Sequence, residues 1–475
     1  MEEANNGRDF PSQLPSDALL CILDKLDLRD AVRAGALSRR WRCLQLPRLS
    51  LRMEDFLPAN VSQHRYYDDE ADGDQQQVRR PGRHRDALSD ASDAMLRAAT
   101  ALLSSRGGGA GCTVAMSFLL RHNYMSLGRL LDAAVAAGKV RAVDLEVSTT
   151  SDLYLTDDAR QTREAMAAHG RRFRTELFDG CPAAFGAALT RLALKNMYLS
   201  TPGDLADILG ACANLETLSL YASGVRAAPK RPRPWSVRHP RLADISLTYC
   251  AFAGVELAWL PRLERLAYKE CGSLAADDKK KPPPLSFGHV WVQPEASKRF
   301  ADIFRNLQHL RIRNVHEECG LPWTMFLLQA APNLKELCIK LWDHECDFEL
   351  DESSTSSHLA AKKKSIVWEE VPAGFKHYNL ARVTILGFYN TRTGSQGIAR
   401  FLRSLVQAAV NLEEIHVREK APCDECEVME IAGSPFPRTD EDKDTFRESI
   451  CGGGSTPLKI CIVHHQQGLN ISLPS

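Results

Sequence analysis

The chain has 475 residues, 44% of them apolar and 25% charged, which is the make-up of an ordinary folded protein too long for one small core. Lys plus Arg and Asp plus Glu number 60 each, for a formal net charge of +0, and a general nucleic-acid binder with its basic excess is not favoured. The opening MEEANNGRDF lacks the basic start and apolar run of a secretion signal, and no run of about 18 apolar residues marks a membrane span.

The 14 cysteines are accordingly read as reduced thiols, and the compartment as cytoplasm or nucleus. The basic stretches PKRPRP at Pro229 and KKKPPP at Lys279 suit import signals as well as solvent loops.

The first pattern along the chain is LPSDALLCILDKLDLRDAVRAGALSRRWRCL, from Leu14 to Leu44. Leu19, Ile22, Leu23 and Leu26 fall on one helical stripe, with Pro15 and Ser16 as start signals before it. Asp27 can cap a second helix, and Asp30 sits where a first-turn negative charge is favoured. Leu37, Trp41 and Leu44 share a further face, while Arg39, Arg40 and Arg42 lie mostly off it and can stay in water. Three short amphipathic helices are too little to fold securely alone, so their leucines either cap the next domain or dock on a partner.

Residues Phe10 to Pro47, from the Leu14-Pro15 start to the LSRRWRCL end, resemble an F-box. The resemblance implies docking on the Skp-family adaptor of a cullin–RING (SCF-type) ubiquitin ligase. The adaptor-facing candidates it implies are Leu14, Pro15, Leu19, Ile22, Leu23, Leu28, Val32, Leu37, Trp41 and Leu44. Buried apolar and Trp anchors of this kind carry most of an interface's energy.

From Asp55 the periodicity fades through DDEADGDQQQ and RRPGRHR, read as flexible linker. Then one phrase returns ten times, as apolar-x-x-apolar-x-apolar. It begins at Val140, Leu189, Leu215, Leu242, Leu263, Phe287, Leu307, Leu334, Leu380 and Leu412. The spacings between Leu189 and Leu334 run from 20 to 27 residues, a leucine-rich-repeat period, and the gaps of 49 and 46 leave room for a missed repeat or an insertion. Helical stripes precede several copies, as in SLGRLLDAAVAAG and GIARFLRSLVQAA. Helix then strand, repeated, predicts a curved parallel solenoid with strands inside and helices outside. The competing doubly wound α/β domain wants a glycine-rich phosphate turn, which the sequence lacks.

These phrases resemble plant leucine-rich-repeat F-box proteins. The stretch from Val367 to Val417, with its Trp368, Phe375-Lys376-His377 and Gly387-Phe388, resembles the FBD region often paired with them. The resulting division is a tail at 1–9, an F-box at 10–54, a linker at 55–93, a solenoid at 94–418 with 366–418 FBD-like, and an irregular tail at 419–475. Low-complexity insertions are expected at 272–286 and 346–365.

Alternation along each strand sends the third, fifth and seventh residue of each phrase to the concave face. Nine of these are Arg or Lys and five are Asp or Glu, in a chain whose totals are equal. Arg265, Lys269, Trp291, His309, Arg311 and Arg313 form the strongest cluster, suited to an acidic or phosphorylated protein segment.

CDEC at Cys423, with Cys451, Cys461, His464 and His465 behind it, has one pair at metal spacing but no regular second pair, so no metal is assigned. Walker, Rossmann, GxSxG and HExxH phrases are absent, and no catalytic residue or cofactor is assigned. The expected function is a non-catalytic substrate receptor for protein ubiquitination, with a plain leucine-rich binding scaffold or inhibitor as the alternative.

Overall fold

The computed structural model describes residues 14–23, 25–26, 30, 33, 46–58, 81–106, 111–149, 159–225, 235–250, 252, 255–269, 297–316, 322–342, 372, 374–388, 394–419, 436–451 and 458–463. They form an α/β protein of two compact units, one built on the chain up to Arg231 and the other mainly on the chain from Pro232.

In the first unit a short helix α1 (Ser16–Leu23) precedes strand β1 (Arg48–Arg52). Helix α2 (Pro81–Ser104) leads to β2 (Cys112–Leu119), α3 (Tyr124–Ala136) to β3 (Val140–Ser148), and α4 (Ala159–Arg172) to β4 (Leu189–Lys195). A two-residue strand β5 (Tyr198–Leu199) is followed by α5 (Pro202–Ala211), β6 (Thr217–Tyr221) and β7 (Gly224–Val225). β1, β2, β3, β4 and β6 pair in that order, all parallel.

The second unit holds β8 (Trp235–Arg238), β9 (Asp244–Thr248), β10 (Val255–Trp259), β11 (Arg265–Lys269), α6 (Ser297–Phe304), β12 (His309–His316) and α7 (Pro322–Ala330). It continues through β13 (Glu336–Trp342), β14 (Arg382–Phe388), α8 (Gly394–Ala408), β15 (Glu414–Glu419), α9 (Asp440–Cys451) and β16 (Lys459–Val463). β9 and β11 to β16 pair successively, again all parallel.

Within each unit every new strand of the main sheet is added beyond the last, while β5 pairs with β7 and β8 with β10 apart from it, and the order in the main sheet never reverses. A doubly wound sheet needs such a reversal to make its ligand crevice, so that alternative is removed for each unit taken by itself.

The nine repeat phrases that fall among the described residues all lie on these strands. Their first, fourth and sixth residues make the core: Leu215, Leu218 and Leu220, or Leu334, Leu337 and Ile339, are at most 2% exposed. The helices cover one side of the strands, as in α3, where Leu127, Leu131 and Ala134 are buried at i, i+4 and i+7. Thr201 starts α5 with a reciprocal capping box to Asp204 and Pro202 in the first turn, a local sequence signal for the helix start.

Close packing dictates residue size where α4 meets β5. A Cβ on Gly170 would lie 1.8 Å from the Tyr198 carbonyl oxygen, so only glycine lets the helix approach this near.

An asparagine device recurs before the strands. In the second unit, the side-chain amides of Asn306, Asn333, Asn379 and Asn411 donate to the carbonyls of Pro261, Arg305, Pro332 and Tyr378, at 2.8 to 2.9 Å. Asn214 donates likewise to Ala187 in the first unit, at 2.7 Å. In every case the acceptor belongs to the preceding repeat, so each asparagine fixes the stacking of its repeat on the last.

Three expectations change. Leu46, Leu49 and Leu51 carry the repeat phrase themselves, and β1 pairs with β2, so the sheet begins at Arg48, inside the span assigned to the F-box. Helix α2 spans Pro81–Ser104 and so occupies the end of the expected linker. The tail after 419 is not irregular throughout, because α9 and β16 add another helix and strand, with Ile460 in register with Ile415. β11 pairs directly with β12, and the phrase at Phe287 lies outside the described residues. Direct pairing of β3 with β4 and of β13 with β14 likewise makes the gaps of 49 and 46 insertions rather than missed strands.

Candidate functional site

Two surfaces bear on function, and both follow from the amphipathic patterns. At the N-terminus, α1 begins after Pro15, with Leu19 N–H donating to the Pro15 carbonyl at 3.1 Å. Its apolar residues divide. Leu19 is fully buried, whereas Leu14, Ile22 and Leu26 are each 38% exposed, a costly placement for large aliphatic side chains.

Leu19, one of the adaptor-facing candidates, is buried in this structure. Pro15 is exposed, and Leu23 lies on the helix backbone. Leu28, Val32, Leu37, Trp41 and Leu44 lie outside the described residues.

The second surface is the half-exposed face of the sheet in the second unit. Alternation leaves residues 265, 267 and 269 of β11 and their counterparts on the other strands on this side. In-register parallel pairing then lines them up as rungs.

The first rung reads Asp244, Arg265, His309, Glu336, Arg382, Glu414 and Lys459, with acids interspersed among basic residues across seven strands. Arg265 Nε donates to Asp244 at 2.8 Å, His309 Nδ1 lies 3.2 Å from Glu336, and Arg382 bridges Glu336 and Glu414. Glu414 also accepts from His416 at 3.1 Å and from Lys459 at 3.0 Å. These bonds, that from His416 first, hold its carboxyl down at a pKa of about 2.

The other two rungs differ. The middle one has small residues at Ala267, Cys338 and Thr384, beside Arg311 and His416. The residues two places further along the strands are Thr248, Lys269, Arg313, Lys340, Leu386, Arg418 and Val463, with no acid among them.

Of the six residues assigned to the basic cluster, Arg265 and His309 therefore belong to a charge-balanced ladder. Lys269, Arg311 and Arg313 stand in the basic part of the face, and Trp291 lies outside the described residues. Lys340, in register with Leu386, and Arg418, in register with Val463, also lie on this part of the face.

The first unit compensates its charges. Arg48 donates to Asp144 and Lys195 to Glu146, both at 2.7 Å. The acids that open the series on this face are thus paired within the unit.

Among the described residues the cysteines are thiols rather than disulfides, and no group of three or more His, Cys, Asp or Glu side chains is arranged to hold a metal. Burial pushes the Cys181 thiol up to about 11 and the Cys212 thiol to about 12, the opposite of what a nucleophile needs. No helix of the described residues is long and apolar enough to cross a membrane.

Residues 11–46 match the family model for the F-box domain. No curated protein matches the chain. The N-terminal segment is thus an F-box domain ending at 46, just before β1.

Proposed function

We propose that the chain is the non-catalytic substrate-receptor subunit of an SCF-type cullin–RING ubiquitin ligase. The F-box domain holds a Skp-family adaptor, and the repeat sheet captures the protein to be ubiquitinated. The observation that carries this reading is the F-box match at residues 11–46 together with the outward-facing Leu14, Ile22 and Leu26. Exposed aliphatic anchors on and beside a short helix are what a protein partner buries.

The remainder of the chain supports a leucine-rich-repeat solenoid of the plant F-box type with an FBD-like stretch at 366–418. Strand order rises without reversal within each unit, and five asparagines each tether a repeat to the one before it. Such a receptor needs no chemistry of its own. It raises the concentration of substrate beside the ligase's catalytic module. Cytoplasm and nucleus both suit that role.

Adaptor capture by the full chain tests the proposal. Trp41→Ala together with Leu23→Ala should abolish co-purification with a Skp-family adaptor. Undiminished capture by the double variant would overturn the receptor reading and leave a leucine-rich binding scaffold or inhibitor in its place.

A further inference from the structure

The two halves of the chain use different cations. Up to Arg231 the sequence has 4 lysines and 26 arginines, whereas from Pro232 onward it has 14 and 16. The two side chains carry the same charge and have nearly equal helix propensity, so solubility and secondary structure do not choose between them. Structure favours arginine where its fork is paired, as in Arg48 with Asp144. Yet Arg52 on β1, Arg97 on α2, Arg129 on α3, Arg141 on β3, Arg171 on α4 and Arg191 on β4 are all exposed, and lysine would serve at each. What separates the two is nucleophilicity. A lysine ammonium can shed a proton and react as an amine, while a guanidinium stays charged.

The few lysines of the first unit are engaged or set aside. Lys139 Nζ donates to the Leu103 carbonyl at 3.0 Å, and Lys195 Nζ lies 2.7 Å from Glu146 with 19% of its side chain exposed. Lys25 is exposed inside the F-box segment, between the outward-facing Ile22 and Leu26 that an adaptor would cover. Lys230 lies outside the described residues.

This unit is also joined directly to the F-box. Pro47 alone separates residue 46, the last of the F-box match, from β1. The Pro47 carbonyl accepts from the Thr113 N–H at 2.9 Å, and the Leu46 carbonyl accepts from the Arg106 guanidinium. A ligase that holds the F-box holds the first unit with it, at a constant effective concentration beside the catalytic module. An open lysine there would be modified whether or not a substrate were present.

We propose that arginine in place of lysine guards the first unit against ubiquitin transfer from the ligase this chain recruits, and that Lys335 is the acceptor left open among the described residues. Lys335, just before β13, is exposed and makes no side-chain hydrogen bond or ion pair among them. The exposed Lys376 and Lys459 instead donate to the Gln407 carbonyl at 2.6 Å and to Glu414 at 3.0 Å. In the transfer, an unprotonated lysine Nζ attacks the thioester carbonyl that joins the ubiquitin C-terminus to the carrying enzyme's cysteine. The C–S bond breaks, an N–C isopeptide bond forms, and the nitrogen's proton ends on the released thiol. The inference deepens the receptor reading above and rests on it for the presence of a ligase.

The test assembles the full chain with a Skp-family adaptor, the cullin–RING module, the activating and carrying enzymes, ATP and lysine-free ubiquitin, and maps the conjugated lysines by mass spectrometry. The wild type should carry ubiquitin on Lys335 and none on Lys139 or Lys195. R97K/R129K/R171K, which keeps every charge, should gain conjugates at the new lysines and at least threefold more ubiquitin per chain. Circular dichroism checks folding, and acetylation by an N-hydroxysuccinimide ester shows that each introduced amine is open, so a negative result stays decisive.

Introduced lysines that acetylate but take no ubiquitin overturn the guard, as does wild-type conjugation at Lys139 or Lys195. Conjugates elsewhere with Lys335 bare overturn its assignment as acceptor. Adaptor capture on the same preparations separates the two readings. If it persists while the introduced lysines stay bare, the guard alone falls. If the adaptor is not captured, the receptor reading falls and takes the guard with it.

Discussion

The imidazole Nε2 of His377 donates to the carbonyl oxygen of Ala331 at 3.0 Å, across 46 residues of sequence. Its Nδ1 accepts from the Leu380 N–H at 3.1 Å, so the ring is fixed as the neutral tautomer with the proton on Nε2. Burial pushes its pKa below the ordinary 6.5, partly offset by the bond to Ala331. Below pH 6.5 the unfolded chain therefore takes up a proton that the folded chain excludes, and stability is lost as pH falls. Urea denaturation between pH 7.5 and 5.5 should show stability declining as pH falls through the unfolded histidine's range. His377→Gln should be less stable throughout and lack that component of the slope.

Glu414 predicts a second, more acidic limb. Its pKa stands at about 2, against an ordinary 4.5, so its contribution is complete above pH 4.5 and disappears as pH falls toward 2. Glu414→Gln should flatten that part of the stability profile. Added salt should blunt the wild-type profile there as well, because Arg382, Lys459 and His416 surround a partly exposed carboxylate.

The asparagine tethers should be individually modest and widely spread. Asn333→Ala and Asn411→Ala each remove one donor to a neighbouring repeat and should cost about 1 kcal/mol in chemical denaturation. An unchanged midpoint for both would mean that water replaces the amide without loss.

Gly387 sits at φ +77°, where β14 and β15 shift register, and a Cβ there would lie 2.8 Å from the Leu341 carbonyl oxygen. Gly387→Ala combines left-handed strain with a backbone clash and should destabilise by about 2–3 kcal/mol. A melting temperature equal to that of wild type would show that β14 can move away.

In α1, burial separates residues that one stripe had joined. Leu19→Ala should cost about 2–5 kcal/mol, because it empties a buried position. Ile22→Asp with Leu26→Asp should leave the melting temperature nearly unchanged and abolish adaptor capture, because both side chains already face water. Retained capture would move the docking surface off this helix face.

Much of the repeat architecture is readable locally. Leu215-x-x-Leu218-x-Leu220 and its relatives announce a half-buried strand wherever they occur, because period-two burial needs no knowledge of neighbours. The phrase is disguised where another pattern adjoins it, as at Leu46, Leu49 and Leu51, which run on from the end of the F-box. Three residues before Ile460 the sequence has Pro457 rather than an apolar leader, so the phrase is incomplete there.

The sequence by itself determined which residues alternate in and out along each strand, where the F-box lies, and that basic residues exceed acids on the predicted face. Only the tertiary structure decided which charges neutralise which. Arg265 meets Asp244, while Arg382 lies between Glu336 and Glu414, 46 residues before it and 32 after. The physical reason is that strand periodicity is a property of consecutive residues, whereas an ion pair depends on register between segments joined by loops of unequal length.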